Sequence, residues 1–267
     1  MNYLSINNNI VLENDSKINI TDPSFMFGQG LFETLKVEKN EIQFYDKHIK
    51  RLKNSLSFFG ITLNDVNYDQ SIKQLINQNN LQDEIIKAKI LITFDFQNVI
   101  NTIITTEKYI PHADSLYKTG VKLNVKKNIY SAPWAGFKSA SYFYYNYCRG
   151  EAVKNGCFSS LLVNDNDEIL EAVNANMIVY KNDIVFLPKS DGSRLDGVME
   201  GVITEKFNRV EYRMINKSFL YGANIFITNS LIGIMPVKQI DFGGEIYDFH
   251  VDNEVFEQYI SYPRKAE

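Results

Sequence analysis

Cysteine is nearly absent from this chain of 267 residues, in which Cys148 and Cys157 are the only two. A disulfide framework is therefore excluded, and the composition fits a reducing compartment. Histidine is as scarce, and His48, His112 and His250 lie too far apart for the spacing that holds zinc, so no metal is expected. No run approaches the roughly 18 apolar residues of a membrane span. No Lys/Arg cluster offers a footing on an anionic bilayer. Positive charge is not in excess either. The formal net charge is −4 and the pI about 5.5, which gives no electrostatic reason to expect nucleic acid. The opening stretch, MNYLSINNNIVLENDSKINI, is polar and Asn-rich and does not read as a secretory signal. No internal repeat is present. These absences leave a cytoplasmic globular protein, long enough for one large domain or two modest ones.

What is present reads as α+β. Residues 2–12 read as a strand, with a turn at Glu13-Asn14-Asp15. TDPSFMFGQG reads as a loop, where Gly28 and Gly30 suit a tight turn or close approach to a ligand, and LFETLKVE as a strand. Asp46 can cap a helix with Ile49, Leu52 and Leu56 at helical spacing and His48, Arg51 and Lys53 among its polar residues. Gly60 is placed to stop it. A second helix fits Tyr68–Asn79, and IIKAKILITFDF and VINTIITTEKYI read as β-branched strands. The pattern breaks over YIPHADSLYKTG, which divides the chain into an N-terminal α/β domain, 1–114, and a C-terminal domain, 115–267. The second half opens with the strand VKLNVKKN, a loop with Pro133 and Gly136, and a helix from Ser139 to Asn155. Two hairpins follow, FSSLLV-NDND-EILEA and NMIVY-KND-IVFLP, with Asn/Asp-rich turns. A helix behind Asp196 runs GVMEGVITEKFNRV, with Val198, Ile203 and Phe207 as apolar markers. Strands near Tyr212–Asn216 and Asn224–Thr228 and a helix near Asn253–Ser261 complete the reading.

Five places carry candidate chemistry. Lys138 sits at a loop-to-helix junction beside Ala135, Gly136, Ser139 and Ala140. A helix N-terminus and partial burial both disfavour an ammonium, and a neutral lysine amine attacks an aldehyde to form a Schiff base. Glu171 ends a hairpin strand, where a carboxylate can keep a cofactor ring nitrogen protonated. Gly197 permits close approach, with the amides of Val198 and Met199 at a helix start suited to phosphate. Ser230 follows a strand in ITNSLIGIMPV and offers a hydroxyl to the same group. Arg51, in YDKHIKRLKNS, can pair with phosphate bidentately. Taken singly, each is also what a surface lysine, a strand-end glutamate, a turn or a solvated arginine looks like.

Their order and spacing together resemble the class IV aminotransferases, the fold-type IV group of enzymes that use pyridoxal 5'-phosphate (PLP). That group holds branched-chain aminotransferases, D-amino acid aminotransferases and 4-amino-4-deoxychorismate lyases. The matching segments are FGQGLFETLKV, HIKRLKNSL, GFKSASYF, GCFSSLLVNDNDEILEAVNANMIVY, GVMEGVI and ITNSLIGIMPVKQID, from about residue 25 to residue 241. The resemblance implies that Lys138 is the Schiff-base lysine and catalytic residue, that Glu171 partners the ring nitrogen, and that Arg51, Val198, Met199 and Ser230 hold the phosphate. It implies a D-amino acid aminotransferase-like architecture of two α/β domains with the cofactor at their interface, a homodimer, and a small-molecule amino substrate. Phe27 and Phe32 are implied near the active site, Phe27 standing where some relatives carry tyrosine.

Within that group, GVME and ITNSLIGIMPV resemble the lyases, which read GIM there. Transaminases usually read GIT, and branched-chain aminotransferases often carry a Thr-Ala pair. The resemblance thus points first to a lyase that eliminates pyruvate from aminodeoxychorismate to give 4-aminobenzoate, a folate precursor. An amino-acid aminotransferase of branched-chain or D-amino acid type is the alternative, and a non-catalytic binding protein on this fold a distant one. The strand AKILITFDFQ lacks the arginines with which relatives bind a substrate carboxylate, which leaves Lys89 or Lys36 as the substitute cation.

Overall fold

The computed structural model describes residues 2–62, 67–95, 100–130, 132–252 and 254–259. The chain divides into two units, one of Met1–Ile110 with Lys138–Tyr142 and one of Pro111–Phe137 with Phe143–Glu267.

The first unit is built on six strands: β1 (Tyr3–Ile6), β2 (Asn9–Leu12), β3 (Gly30–Glu38), β4 (Glu41–Ile42), β5 (Ile86–Phe94) and β6 (Ile100–Lys108). They run in the order β2-β1-β6-β5-β3-β4, with every neighbouring pair antiparallel. Residues 2–12 therefore form a hairpin and not one strand. Asn7 and Asn8 both take positive φ, a conformation asparagine tolerates in tight turns. The expected loop at TDPSFMFGQG contains a short helix, α1 (Pro23–Phe27), which Asp22 caps by accepting from the Ser24 amide. Phe96 and Val99, expected at strand ends, lie outside the described residues.

Two helices, α2 (Tyr45–Phe58) and α3 (Tyr68–Gln78), pack on this sheet. Phe44, not Asp46, is the N-cap of α2, and Asp46 lies in its first turn. Leu52 and Leu56 of α2 and Ile72, Leu75 and Ile76 of α3 are buried, as are Leu35, Ile90, Ile92 and Ile104 of the sheet. Side chains alternate along a strand, so Phe32, Thr34 and Lys36 share the opposite face of β3. Their cross-strand partners on β5 are Leu91, Lys89 and Lys87.

The second unit begins with a short helix, α4 (Asp114–Thr119), then β7 (Val121–Lys127) and α5 (Phe143–Lys154). The two expected hairpins are present as β8 (Ser159–Val163) with β9 (Ile169–Ala172), and β10 (Asn176–Lys181) with β11 (Ile184–Pro188). Then come α6 (Val198–Thr204), β12 (Val210–Arg213), β13 (Asn224–Asn229), β14 (Gly233–Asp241) and β15 (Ile246–Asp248). The strand order is β12-β11-β10-β13-β14-β7-β8-β9, with β15 beside β14. A bridge between Ala172 and Ala175 links β9 to the start of β10, so the sheet curls.

Several expectations are corrected. Helix α5 starts at Phe143 and not Ser139, and α6 ends at Thr204, which leaves Phe207 beyond it. Strand β14 went unread, and the segment from Glu254 to Tyr259 is a 3-10 helix. Asn253, Ile260 and Ser261, expected in that last helix, lie outside the described residues. Among the described residues no helix is long and apolar enough to cross a membrane.

Candidate active site

In the first unit, Lys138 is held by the sheet. The Phe32 amide donates to the Lys138 carbonyl (2.9 Å) and the Ala140 amide to the Gly30 carbonyl (2.8 Å), with Leu31 and Ser139 bridged antiparallel. The Lys138 amine stands 4.4 Å from the centre of the Phe32 ring, and Tyr142 meets that ring edge-on at 5.7 Å. Since α5 begins five residues after Lys138, the expected depression of its pKa by a helix N-terminus has no source in α5.

Lys89 also lies 4.4 Å from the centre of the Phe32 ring. The two ammonium nitrogens therefore lie within twice that distance of each other. Burial lowers the pKa of Lys89, and Lys87 lowers it further, against the pull of Glu107. Lys36 is engaged differently, in an ion pair with Glu38 at 2.9 Å. Phe27 is 73% exposed, so it is not a core residue, whereas Phe32 is buried.

Arg51 does not extend from its helix as a solvated charge. Its Nε donates to Glu33 Oε1 (2.8 Å) and its Nη2 to Glu33 Oε2 (2.7 Å), and His48 Nδ1 meets Oε2 at 2.7 Å. Glu33 and His48 are fully buried. The Arg51 side chain keeps 17% exposure. Its planar fork is thereby fixed on one carboxylate, a preorganised cation. Lys138 and Arg51 are tied to consecutive residues of β3, Phe32 and Glu33, whose side chains point to opposite faces.

Burial pushes the Glu33 carboxyl up, yet Arg51 and His48 outweigh it and hold the group down at about 2. A depressed acid contributes stability above its unfolded pKa, here about 4.5, and loses it as pH falls toward about 2. The expected contribution at neutral pH is about 3 kcal/mol. Denaturation midpoints measured from pH 6 down to about pH 2.5 should fall steeply for the natural chain below pH 4.5. They should fall less for Glu33→Gln, and parallel curves would contradict the assignment.

In the second unit, Glu171 is buried at the end of β9. Its Oε2 accepts from the Asn176 side-chain amide (3.5 Å) and from the Leu195 amide (3.4 Å). The Asn176 amide also donates to the Leu195 carbonyl at 2.7 Å. Gly197 lies against this residue so closely that a Cβ there would come 1.9 Å from Asn176 Oδ1. Gly197 is also the N-cap of α6 and supplies no side-chain cap, while Val198 and Met199, which open the helix, are buried. The first amides of a helix lack intrahelical acceptors, so this start suits an anion.

Asn176 pairs in register with Thr228, two residues before Ser230, and α6 packs on β13. The turn holding Ser230 is fixed by Asn229, whose Oδ1 accepts from the amides of Leu231 and Ile232 (both 2.9 Å). Asn176 thus gathers Glu171, the start of α6 and the end of β13. Behind them Arg194 is fully buried and forked onto Glu200, Nη1 to Oε2 at 2.9 Å and Nη2 to Oε1 at 3.1 Å. Burial pushes the Glu200 carboxyl up to about 7, with Arg194 pulling the other way. Asn176, Arg194, Glu200 and Glu33 carry no sequence motif that marks them, and His48 reads from sequence only as a polar helix residue. The one local signal was Glu200, a charge at the inward start of an apolar helix. Among the described residues no cluster of potential metal ligands occurs, and both cysteines are free thiols.

In the first unit, a lysine amine on a fixed backbone suits an aldehyde and a preorganised arginine suits a phosphate. In the second, a buried carboxylate suits a pyridine nitrogen and the start of α6 a phosphate. PLP carries all three groups. The family model for amino-transferase class IV matches residues 30–240, and the chain belongs to that family. It is therefore a PLP-dependent enzyme. An aminodeoxychorismate lyase of Bacillus subtilis is 21% identical, covering 90% of this chain and 88% of the relative. A probable branched-chain-amino-acid aminotransferase of Aquifex aeolicus is 23% identical, covering 90% and 85%. Among solved structures, a fold IV-transaminase from Curtobacterium pusillum superposes with a TM-score of 0.81 at 20% identity, covering 94% of this chain and 88% of that one. The fold is thus α+β of fold-type IV.

Proposed function

We propose that this enzyme is a 4-amino-4-deoxychorismate lyase, which eliminates pyruvate from its substrate to leave 4-aminobenzoate for folate biosynthesis. Lys138 holds the cofactor through its amine, Glu171 faces the ring nitrogen, and Arg51, Val198, Met199 and Ser230 hold the phosphate. The bound cofactor would supply an electron-withdrawing ring that stabilises negative charge on the carbon bearing the substrate amine. Lys138 Nζ takes the proton from that carbon and returns one to the departing group. Glu171, buried at the end of β9, would keep the ring nitrogen protonated.

The observation that carries this reading is Lys89, a half-buried cation 4.4 Å from the ring that also bears the Lys138 amine. A dicarboxylate substrate asks for such a fixed cation beside the catalytic amine, on a strand that lacks arginine. The GVME and ITNSLIGIMPV strings and the likeness to the Bacillus subtilis lyase support it. The Aquifex aeolicus relative supports the alternative, a branched-chain or D-amino acid aminotransferase. A non-catalytic binding role is disfavoured by the retention of Lys138 and Glu171 together. We place the enzyme in the cytoplasm, as free thiols suit. It works as a homodimer, for which exposed Phe143 and Tyr147 on α5 supply apolar surface.

The test is an assay with enzymatically generated aminodeoxychorismate, following 4-aminobenzoate and pyruvate together. Equal release of both, far above background, is the expected result. Neither product from PLP-loaded protein would favour the aminotransferase, to be screened with D- and L-amino donors.

A further inference from the structure

The loop that joins β11 to α6 is exposed at Lys189, Ser190, Asp191 and Asp196, yet one of its residues, Arg194, is fully buried. Every donor of that guanidinium with a described partner points at something structural. Nε donates to the Pro188 carbonyl (3.0 Å) at the end of β11, Nη1 to the Leu195 carbonyl (3.1 Å), and the fork of Nη1 and Nη2 to Glu200 in the first turn of α6. One side chain thus ties together a strand end, a loop peptide and a helix start.

A buried ion pair is weak grounds for stability, because an apolar pair of similar volume often serves as well. What an apolar pair cannot do is donate hydrogen bonds in fixed directions. The Leu195 carbonyl takes one from Arg194 and one from Asn176, and the Leu195 amide donates to Glu171 Oε2. Leu195 is therefore the link between the Arg194–Glu200 pair and Glu171.

We infer that Arg194 and Glu200 form a positioning clasp, which holds the Leu195 peptide so that Glu171 is set at the angle its partner ring requires. Arg194 and Glu200 are positioning residues, acting on the cofactor through Leu195 and Glu171. This rests on the proposed pairing of Glu171 with the PLP ring nitrogen. The clasp also sets where α6 begins, since Glu200 lies two residues after Val198 and one after Met199.

The test compares holoenzymes of the natural chain, of Arg194→Leu with Glu200→Leu, and of Glu171→Gln, at about pH 8. Three quantities are read: the dissociation constant for PLP, the pH midpoint of the visible absorption change of the bound cofactor, and the thermal midpoint of the cofactor-free chain. The double variant should lower the thermal midpoint of the cofactor-free chain only modestly, since both buried charges go together while the Pro188 and Leu195 carbonyls lose one donor. It should weaken PLP about tenfold, the scale typical of groups that orient a ligand's partner from behind. It should also move the absorption midpoint in the same direction as Glu171→Gln. A double variant that binds PLP and titrates like the natural chain, while Glu171→Gln departs from it, overturns the clasp alone. If Glu171→Gln itself leaves the absorption midpoint unmoved, the pairing of Glu171 with the ring fails, and the route through Leu195 with it. Should the double variant not fold, Arg194→Lys decides by the same comparison, since lysine keeps the charge but cannot span Pro188, Leu195 and Glu200 at once.

Discussion

Lys138→Ala is expected to lower turnover by about 10⁴-fold or more, since it removes both the covalent anchor and the proton carrier. The fold should survive the change. The bonds that seat residues 138–140 on β3 run between backbone atoms, Phe32 to Lys138 and Ala140 to Gly30, and alanine keeps both. A loss of activity with an unchanged thermal midpoint is therefore the expected pair of results. Bulky and charged replacements are poorer probes, because they would crowd the Phe32 ring that Tyr142 also packs against. Small amines added to Lys138→Ala should restore part of the activity by carrying the proton from solution. An alanine variant that turns over at the natural rate would remove the lysine from the reaction.

The second large effect is expected at Glu171. Glu171→Gln should lower kcat by about 10²–10³-fold, the scale seen when one preorganised charge partner is lost from a developing carbanion. Glutamine has the same shape, and its side-chain carbonyl can still accept from Asn176 and Leu195, so packing at the end of β9 is preserved. The change is confined to charge. The substituted enzyme should still bind PLP, with the ring nitrogen losing its proton at a lower pH than in the natural protein. Unaltered kcat together with an unaltered spectrum would mean that the carboxylate faces something else.

Local pattern served best where the chain itself supplies the partner. The hairpins β8–β9 and β10–β11 were legible because Asn164 to Asp167 and Asn182 with Asp183 write turns between largely apolar runs, and Asp167, Asn182 and Asp183 take positive φ as those turns need. The start of α5 was not legible. Residues 138–140 look like a helix start, yet their backbone is claimed by β3, more than a hundred positions away. Helix α1 was missed although Asp22-Pro23 is a sound opening, with a capping carboxylate and a proline in the first turn. Strand β14 carries Pro236 in its middle, opposite Phe226, and proline argues against a central strand when only the sequence is read.

The candidate site divides along the same line. Lys138, Glu171, Arg51, Val198, Met199 and Ser230 are proposed because their order follows a family. Their support could not be read in this way. Glu33, on β3, holds Arg51, His48 on the buried side of α2 meets the same carboxylate, and Arg194 meets Glu200 only once the fold encloses both. Buried polar networks of this kind are assembled from residues distant in sequence, so periodicity carries no trace of them.

The most direct test of the central claim is borohydride reduction of the natural holoenzyme, followed by proteolysis and mass mapping of the peptide that carries the pyridoxyl group. The expected result is a single modified peptide containing Lys138, with Lys89 and Lys36 unmodified. A pyridoxyl group on any other lysine, or none on protein that binds PLP, would contradict the assignment on which the rest of the account stands.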